Sequence, residues 1–315
     1  MADIKFYDFE LNLLHIDNAY SSVDWLLKFN DIGTFEAHFP INSPVTKLCM
    51  ENEYIIAVQG DNQAVITGKK VSSDLTLYGR TPNWFLSKRV TPNFALMYYS
   101  PEFIAKQHVA AAMADVSNFK IVRTSGFTTK IRFWRNVYNP TIKVVSECLA
   151  RVSAGHKMWF DIGEKKLKYC AVKPSDTGLI ISRTNLNAQN LSYTDDFQDS
   201  ANGGYYEVTD ESTGETSWTE IASDKTGLYR WVQILGGDNE YDAKASLKSK
   251  SRKKDVKFDV RDLTYGKDYS LGDIVTVNSE FGGCIRSDRK QITEVNIWYE
   301  NGNSGEKPVF SDTDL

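Results

Sequence analysis

The residues with the clearest chemical potential are basic and lie close together late in the chain. Between residues 241 and 257, seven basic residues accompany two acids. Five of the basic residues are candidate contacts for a channel or a partner: Lys248, Lys250, Arg252, Lys253 and Lys254. Cations near a helix C-terminus are favourable by about 0.3–1 kcal/mol each, so a solvated helix end explains part of the cluster. The alternative is contact with a polyanion, such as passing DNA or an acidic partner, which salt would weaken.

Two acidic clusters contain carboxyl pairs of the kind that a glycosidase needs. The first is Asp195, Asp196 and Asp199, in the polar stretch 192–204. The second is Asp210, Glu211 and Glu215, at a predicted hairpin tip where Glu211, Thr213 and Glu215 form another candidate contact site. Few aromatic side chains accompany either cluster to desolvate a carboxyl group. Both clusters are therefore interpreted as solvated loops without a catalytic role.

Motifs of the common enzyme classes are absent: there is no phosphate-binding loop, dinucleotide fingerprint, serine elbow or zinc-protease helix. The four histidines are far apart in sequence, at His15, His38, His108 and His156. The four cysteines lack zinc-ligand spacing and are interpreted as free thiols, at Cys49, Cys148, Cys170 and Cys284. We therefore expect no enzymatic activity, no cofactor and no metal.

Aromatic residues are abundant, with seven tryptophans and sixteen tyrosines, which raises the alternative of a sugar-binding face. Most of the tryptophans lie inside strand-like runs, at Trp84, Trp134, Trp159, Trp218, Trp231 and Trp298. Large aromatic side chains in such runs usually fill the core. A core role is therefore the main interpretation, and a carbohydrate-binding module stays an alternative.

Composition narrows the class of protein. The 315 residues are 41% hydrophobic and 25% charged, which is enough for a sizeable core without disulfides or metals. The balance of 37 basic and 41 acidic residues is too even for a general nucleic-acid binder. No run approaches the ~20 apolar residues of a membrane-spanning helix, and no export signal is recognised at the N-terminus.

Short apolar or alternating runs separated by turn residues predict a β-rich N-terminal domain at residues 1–92. The run from residue 21 to 30 alternates with a period of two at Val23, Trp25, Leu27 and Phe29, although Leu26 interrupts the pattern. We predict a strand there. The consecutive hairpins predict a small antiparallel barrel.

Helix signals follow, and they predict an α+β lobe at residues 93–176. Ser100-Pro101 is a cap with proline at the first helical position, and it predicts a helix over about 101–116. Asn139-Pro140 predicts a second helix over about 140–154, and a hairpin is predicted over 158–172. Strands return in 177–235 and 255–302, which predict a second barrel. Between them, 236–254 is a predicted surface helix carrying the basic run, and 303–315 is a predicted tail.

Several motifs, taken in order, resemble the baseplate hub proteins of siphophages and prophages, also called tail-tip or tail-associated hub proteins. Those near the N-terminus are Leu14-His15-Ile16-Asp17-Asn18, Ser22-Val23-Asp24-Trp25, Asp31 to Glu36, Phe39-Pro40, Leu77-Tyr78-Gly79-Arg80 and Leu86 to Val90. Those near the C-terminus are Asp268 to Val277, which contains Leu271-Gly272-Asp273, and Gln291 to Val295. Their order and spacing extend the resemblance over essentially the whole chain.

The resemblance implies a mainly β, α+β fold with two small antiparallel β-barrels joined by α+β lobes, and a homotrimer that forms a ring around the tail channel. It implies an assembly function in the virion, at the distal tail tip, after synthesis in the host cytoplasm. The implied partners are the distal tail protein, the tape-measure protein and receptor-binding or tip proteins, with DNA passing transiently. A second alternative to the hub function is a cell-wall hydrolase, since in many relatives a peptidoglycan hydrolase domain follows the hub. This chain stops at Leu315, which argues against that alternative.

Overall fold

The computed structural model describes residues 2–91, 96–124, 126–133, 138–210, 212–237, 239–300 and 302–312. The elements up to residue 99 are β1 (Ile4–Tyr7), β2 (Leu13–Asp17), β3 (Ser22–Lys28), β4 (Thr34–Pro40), α1 (Pro44–Glu51), β5 (Ile56–Gln59), β6 (Asn62–Val71), β7 (Asp74–Arg80), α2 (Trp84–Ser87), β8 (Val90–Thr91) and β9 (Leu96–Tyr99). Those up to residue 182 are α3 (Pro101–Ala112), β10 (Phe119–Ile121), β11 (Ile131–Phe133), β12 (Asn139–Pro140), α4 (Thr141–Ala150), β13 (Gly155–Asp161), β14 (Lys166–Val172) and β15 (Asp176–Ser182). The remaining ones are β16 (Ala188–Asp196), β17 (Gly203–Thr209), β18 (Thr216–Ile221), a 3₁₀ turn (Gly227–Tyr229), β19 (Val232–Ile234), α5 (Glu240–Ser249), β20 (Lys253–Val260), β21 (Ile274–Phe281), β22 (Cys284–Glu300) and β23 (Asn303–Asp312).

The fold is mainly β, and its elements divide into two compact units. We call residues Met1–Asn187 with Val260–Leu315 the sheet unit, and residues Ala188–Asp259 the insert unit. These boundaries differ from those expected from the sequence, because the strands assigned to a second barrel are shared between the two units. In the part of the chain that the structure describes, no helix is both long and apolar enough to cross a membrane.

One eleven-stranded sheet organises the sheet unit. Its order is β15-β21-β22-β3-β4-β7-β6-β5-β1-β2, with β23 also paired to β22. The long strand β22 joins the two ends of the chain, since its first half pairs with β21 and its second half with β3. The described strands therefore form an open sheet with ends at β15 and β2, and the expected closed barrels are not found among them.

The centre of the sheet shows why β3 forms as predicted. Its buried residues alternate with exposed ones, and Trp25 lies between Ile297 of β22 and Phe35 of β4 on the buried face. The indole of Trp25 is fully buried and its ring centroid is 4.3 Å from that of Phe35. Its N–H donates to the Oε1 of Gln59 at 2.8 Å, which satisfies a polar group that burial would otherwise leave unpaired.

Trp25→Phe tests this buried hydrogen bond. The change keeps an aromatic ring in the core and leaves the Oε1 of Gln59 without the indole donor, so the free energy of unfolding should fall by about 1–3 kcal/mol. Urea unfolding measures the loss. Trp298→Phe is the matched control, because Trp298 lies on the opposite face of the same sheet, and it should cost less.

The helices and the hairpin of the predicted lobe pack into the core of the sheet unit. Residue 101 begins α3, where the Ser100 hydroxyl accepts the N–H of Phe103, and β13 pairs with β14. Val109 of α3, Leu149 of α4 and Tyr169 of β14 share one buried cluster with Ile56 and Val65 of the N-terminal strands. Because they share a core, this segment does not form a compact unit of its own.

The elements missed from the sequence include three for which the structure shows the reason. The helix α1 begins after Ser43, whose hydroxyl accepts the N–H of Val45, with Pro44 at the first position, the same signal that located α3. The segment 303–315, expected to be a tail, contains β23, which pairs with β22 along ten residues. The polar stretch that begins at residue 192 continues β16, which pairs with β20, so it is only partly a loop.

The two edge strands of the large sheet, β15 and β2, differ: side chains bond the backbone of β15, whereas β2 has exposed apolar side chains. At β15, the Ser182 N–H donates to the Oδ1 of Asn187, while the side-chain amides of Asn185 and Asn187 donate to the Ile180 carbonyl. At β2, Leu13 and Ile16 are 51% and 44% exposed. Exposed edge strands are sites of association, so β2 with its exposed apolar side chains is a candidate surface for a partner.

Candidate interaction site

Helix α5 places the first half of the basic run on the insert unit. Its N-terminus is capped by Asn239, whose side chain accepts the N–H of Asp242 at 3.0 Å. Ala243 and Leu247 pack against Tyr206 and Leu235 of the sheet β18-β17-β19. The opposite face of the helix is exposed, and Lys248 lies in its last turn, where a cation is favourable through the helix dipole.

Two of the candidate basic residues contact the insert unit itself. Lys250 donates to the Oε1 of Gln233 at 2.8 Å. The guanidinium of Arg252 bonds both carboxylate oxygens of Asp195 and lies 5.1 Å from the ring centroid of Phe197. Phe197 in turn stacks on Trp231, with centroids 5.4 Å apart. Arg252 therefore links β16, the following loop and the chain after α5. The sequence did not predict these contacts.

The ion pair with Arg252 sets Asp195 apart from the other two acids of the cluster, Asp196 and Asp199. The hydrogen bond from Arg252 lowers the pKa of Asp195, with a further contribution from the hydroxyl of Tyr193 at 3.1 Å. A carboxyl group with a lowered pKa is a poor proton donor at neutral pH. The interpretation of Asp195 as part of a solvated loop was wrong, because this residue lies on β16 in an ion pair with a residue 57 positions away.

Removing the guanidinium should raise the pKa of Asp195 toward its ordinary value. In Arg252→Gln the charge-assisted hydrogen bonds to both carboxylate oxygens are lost, and these dominate the lowering. Carbon NMR titration of labelled aspartate carboxyl groups measures the change. Tyr193→Phe should raise this pKa less, and equal shifts in the two variants would contradict the assignment.

The described side chains among the remaining basic candidates are exposed. Lys248 and Lys254 are exposed, and the charge of Lys254 contributes to lowering the pKa of Asp195. The backbone of Lys253 begins β20, and its side chain lies outside the described part of the chain. The structure therefore collects Lys248, Lys250, Arg252 and Lys254 at the end of α5 and the start of β20. We call residues 244–257 the basic segment.

The second candidate site is the tip of the hairpin formed by β17 and β18. Thr209 pairs with Thr216, and Gly214 has a φ of +71° in the turn between them. The Asp210 carboxylate accepts from the backbone and hydroxyl of Ser212, whose side-chain hydrogen bond lowers the pKa of Asp210. The hydroxyl of Thr213 accepts the N–H of Glu215 at 3.2 Å. Thr213 and Glu215 are exposed, while Glu211 lies outside the described residues. We call residues 203–221 the acidic hairpin.

One face of the β18-β17-β19 sheet was not anticipated. Cross-strand pairing places Tyr205, Trp218 and Ile234 on the face opposite α5, together with Glu207 and Glu220. Trp218 is 54% exposed and Ile234 is 70% exposed. The expectation that Trp218 fills the core was therefore wrong. The strand alternation could have shown this, because Tyr206 and Val208 occupy the other face.

The histidines do not converge on a site. His108 and His156 are buried in the sheet unit, whereas His38 lies between the carboxylates of Glu36 and Asp74 at 2.9 and 3.2 Å. His15 lies 3.5 Å from Asp17 on β2. Across the described residues, no cluster of histidine, cysteine, aspartate and glutamate has the geometry of a metal site.

Comparison with known proteins gives a fold and no close relative. No protein-family model matches the chain, and no curated protein sequence matches it significantly. Among solved structures, a prophage tail protein gp18 from Listeria monocytogenes EGD-e has a TM-score of 0.59 at 13% identity, covering 100% of this chain and 96% of that one. The tail protein from Neisseria meningitidis MC58 has a TM-score of 0.58 at 12% identity, covering 100% and 97%. The 43 kDa tail protein of prophage MuSo2 from Shewanella oneidensis has a TM-score of 0.58 at 10% identity, covering 98% of each chain.

The chain therefore has the fold of phage and prophage tail proteins over its whole length. The resemblance to phage and prophage tail proteins that the sequence motifs suggested is confirmed at the level of the fold.

Proposed function

We propose that this protein is a structural component of a phage or prophage tail, the baseplate hub at the distal end of the tail tube. Three copies form a ring that connects the distal tail and tape-measure proteins to the tip or receptor-binding proteins. The observation that supports this most is the likeness of fold to three tail proteins over nearly the full length of each. The site is a set of protein contacts and has no catalytic role, and the virion is where it acts.

Two features of the molecule are consistent with a ring. A closed ring of identical subunits needs heterologous contacts, in which two different surfaces of each copy meet. The large sheet has unlike ends, since the backbone groups of β15 at Ile180 and Ser182 are bonded by asparagine side chains while β2 exposes Leu13 and Ile16. The open end at β2 is thus available to another surface of a neighbouring copy or tail protein.

Light scattering over a concentration series tests the ring directly. A species of about three times the chain mass of 35.7 kDa supports the trimer. Co-purification with a distal tail protein of the same phage tests the position in the tail. A chain that stays monomeric alone and fails to bind that protein would contradict the hub assignment.

The exposed face of the insert unit favours a second candidate function, carbohydrate binding. Aromatic faces stack on pyranose rings, and Trp218 and Tyr205 share the exposed sheet face with Glu207 and Glu220, whose carboxylates could accept sugar hydroxyls. Calorimetry with host cell-wall polysaccharide tests it, with Trp218→Ala as the variant that should lose binding. Equal heats for the wild type and this variant would argue against the sugar site.

A further inference from the structure

Two segments of the insert unit each carry mainly one sign of charge. Seven of the nine basic residues in 188–259 lie in the basic segment. The acidic hairpin contains five acids and no basic residue: Glu207, Asp210, Glu211, Glu215 and Glu220. The described acids of the hairpin are exposed, as are Lys254 and Lys257 of the basic segment.

The fold places the tip acids Asp210 and Glu215 and the basic residues from Lys250 onward at opposite ends of β17, while the start of the basic segment, on α5, packs against the hairpin. The carbonyl of Lys250 accepts the N–H of Ala201, just before β17, and the Lys250 side chain bonds Gln233, which pairs with Gly204. The basic segment therefore adjoins the start of β17. The acidic tip follows Thr209, at the other end of this strand. At about 3.3 Å per residue the strand separates the two by roughly 20 Å, twice the Debye length of about 10 Å at 0.1 M salt.

We infer that the acidic hairpin of one copy docks on the basic segment of the next copy in the ring. Asp210 and Glu215 at the tip are too far from Lys250 and the basic residues after it to be neutralised by them within one insert unit. A unit with opposite charges at opposite ends attracts copies of itself head to tail, which is the heterologous contact that a closed ring requires. The inference rests on the trimer proposed above and names the surfaces that hold it.

The acidic hairpin favours a second copy of this chain over DNA as the partner of the basic segment. A phosphate backbone would meet the basic segment favourably, but it would leave the acidic hairpin without a partner and repelled by any nearby phosphate. A second copy accounts for both segments at once. DNA in the channel is therefore the competing outcome of the test.

Charge reversal with a compensating swap tests the contact. Lys254→Glu with Lys257→Glu reverses the basic segment, and Glu207→Lys with Glu215→Lys reverses the acidic hairpin. Each pair should weaken the trimer by about tenfold or more, because like charges then meet across the interface. The four changes together should restore the wild-type dissociation constant. Lys225→Glu, an exposed change outside both segments, is the matched control, and far-ultraviolet circular dichroism confirms folding.

The outcomes separate the possible failures. Light scattering at 0.1 and 0.5 M NaCl should show that salt weakens the wild-type trimer and not the fold. A trimer that tolerates both reversals would overturn this contact while leaving the hub function intact. Loss of binding to a labelled DNA duplex in Lys254→Glu with Lys257→Glu, together with an unchanged trimer, would assign the basic segment to DNA instead. A wild-type chain that stays monomeric, alone and beside the distal tail protein, would overturn both proposals.

Discussion

Lowering the pH from 7 to 5 is expected to remove about 4 kcal/mol from the free energy of unfolding of the sheet unit, about 2 kcal/mol for each of two buried histidines. Burial lowers the pKa of His156 to about 3 and that of His108 to about 4. In the unfolded chain each ring titrates near its ordinary pKa of 6.5. Between these values the unfolded state binds more protons than the folded state, so stability falls as the pH falls.

The environment of His156 explains why this ring stays neutral. It is 3% exposed, stacks on Tyr169 with centroids 5.9 Å apart, and its Nε2 lies 3.4 Å from the Ser146 hydroxyl. No carboxylate is among these contacts. Charging the ring in this environment is costly, because a buried cation needs a partner.

His38 acts with the opposite sign and only partly offsets the loss. Partial burial works to lower the pKa of His38, but hydrogen bonds to Glu36 and Asp74 outweigh it and the pKa is raised. This contribution to stability is complete below the unfolded pKa and is lost as the pH rises through the folded one. His38 is partly exposed, so screening reduces its effect.

Urea unfolding at pH 7, 6 and 5 measures the pH dependence. His156→Gln should flatten it by about 1.4 kcal/mol per pH unit between pH 6 and 5, the value of one proton, and His108→Gln should do the same. A pH dependence that is unchanged in both variants would show that other groups bind the protons.

Gly272→Ala is the second change with a large expected effect, a loss of about 2–5 kcal/mol in the free energy of unfolding. Gly272 has a φ of +89°, a conformation that costs a residue with a side chain about 1–2 kcal/mol. In addition, a Cβ at this position would overlap the ring of Phe29, and such overpacking costs about 1–3 kcal/mol. The same ring also packs closely on Gly155, where a Cβ would lie 2.6 Å from it, so both glycines make room for Phe29.

Gly266→Ala is the matched control for this prediction. Gly266 has a φ of +79° and open space where its Cβ would lie, so its substitution should cost only the backbone term. Urea unfolding of both variants separates the conformational cost from the clash. Combining Phe29→Ala with Gly272→Ala should give less than the sum of the single losses, since the removed ring no longer clashes. Additive losses would show that Phe29 does not constrain Gly272.

The same contact explains the Leu271-Gly272-Asp273 motif, one of the features behind the family resemblance. From sequence it indicates a turn before a strand, and Asp273 does accept the N–H of Ser270 at 2.7 Å before β21 begins. What the motif does beyond the turn depends on Phe29, at the end of β3 and more than 240 positions away. The local sequence pattern identified the turn. The packing of Phe29 against Gly272 sets how much stability a substitution of Gly272 costs.

The sequence by itself determined the elements whose signals are local. Alternation identified β3, and Ser100-Pro101 located the start of α3 because a cap and a first-turn proline act on adjacent backbone groups. The acidic hairpin was likewise predicted from its turn residues. The order of several weak motifs was enough to suggest the tail-protein fold that the solved structures share.

Only the tertiary structure decided which strands pair and which charges meet. The pairing of β22 with both β21 and β3 brings strands expected in two different barrels into one open sheet, and the Arg252–Asp195 pair unites two segments that appeared unrelated. Strand periodicity specifies which face of a strand is buried but not its neighbour, because any apolar face of matching length can cover it. That choice follows from the packing of the whole core. The strand pairing also places the tip of the acidic hairpin and the basic residues from Lys250 onward at opposite ends of β17.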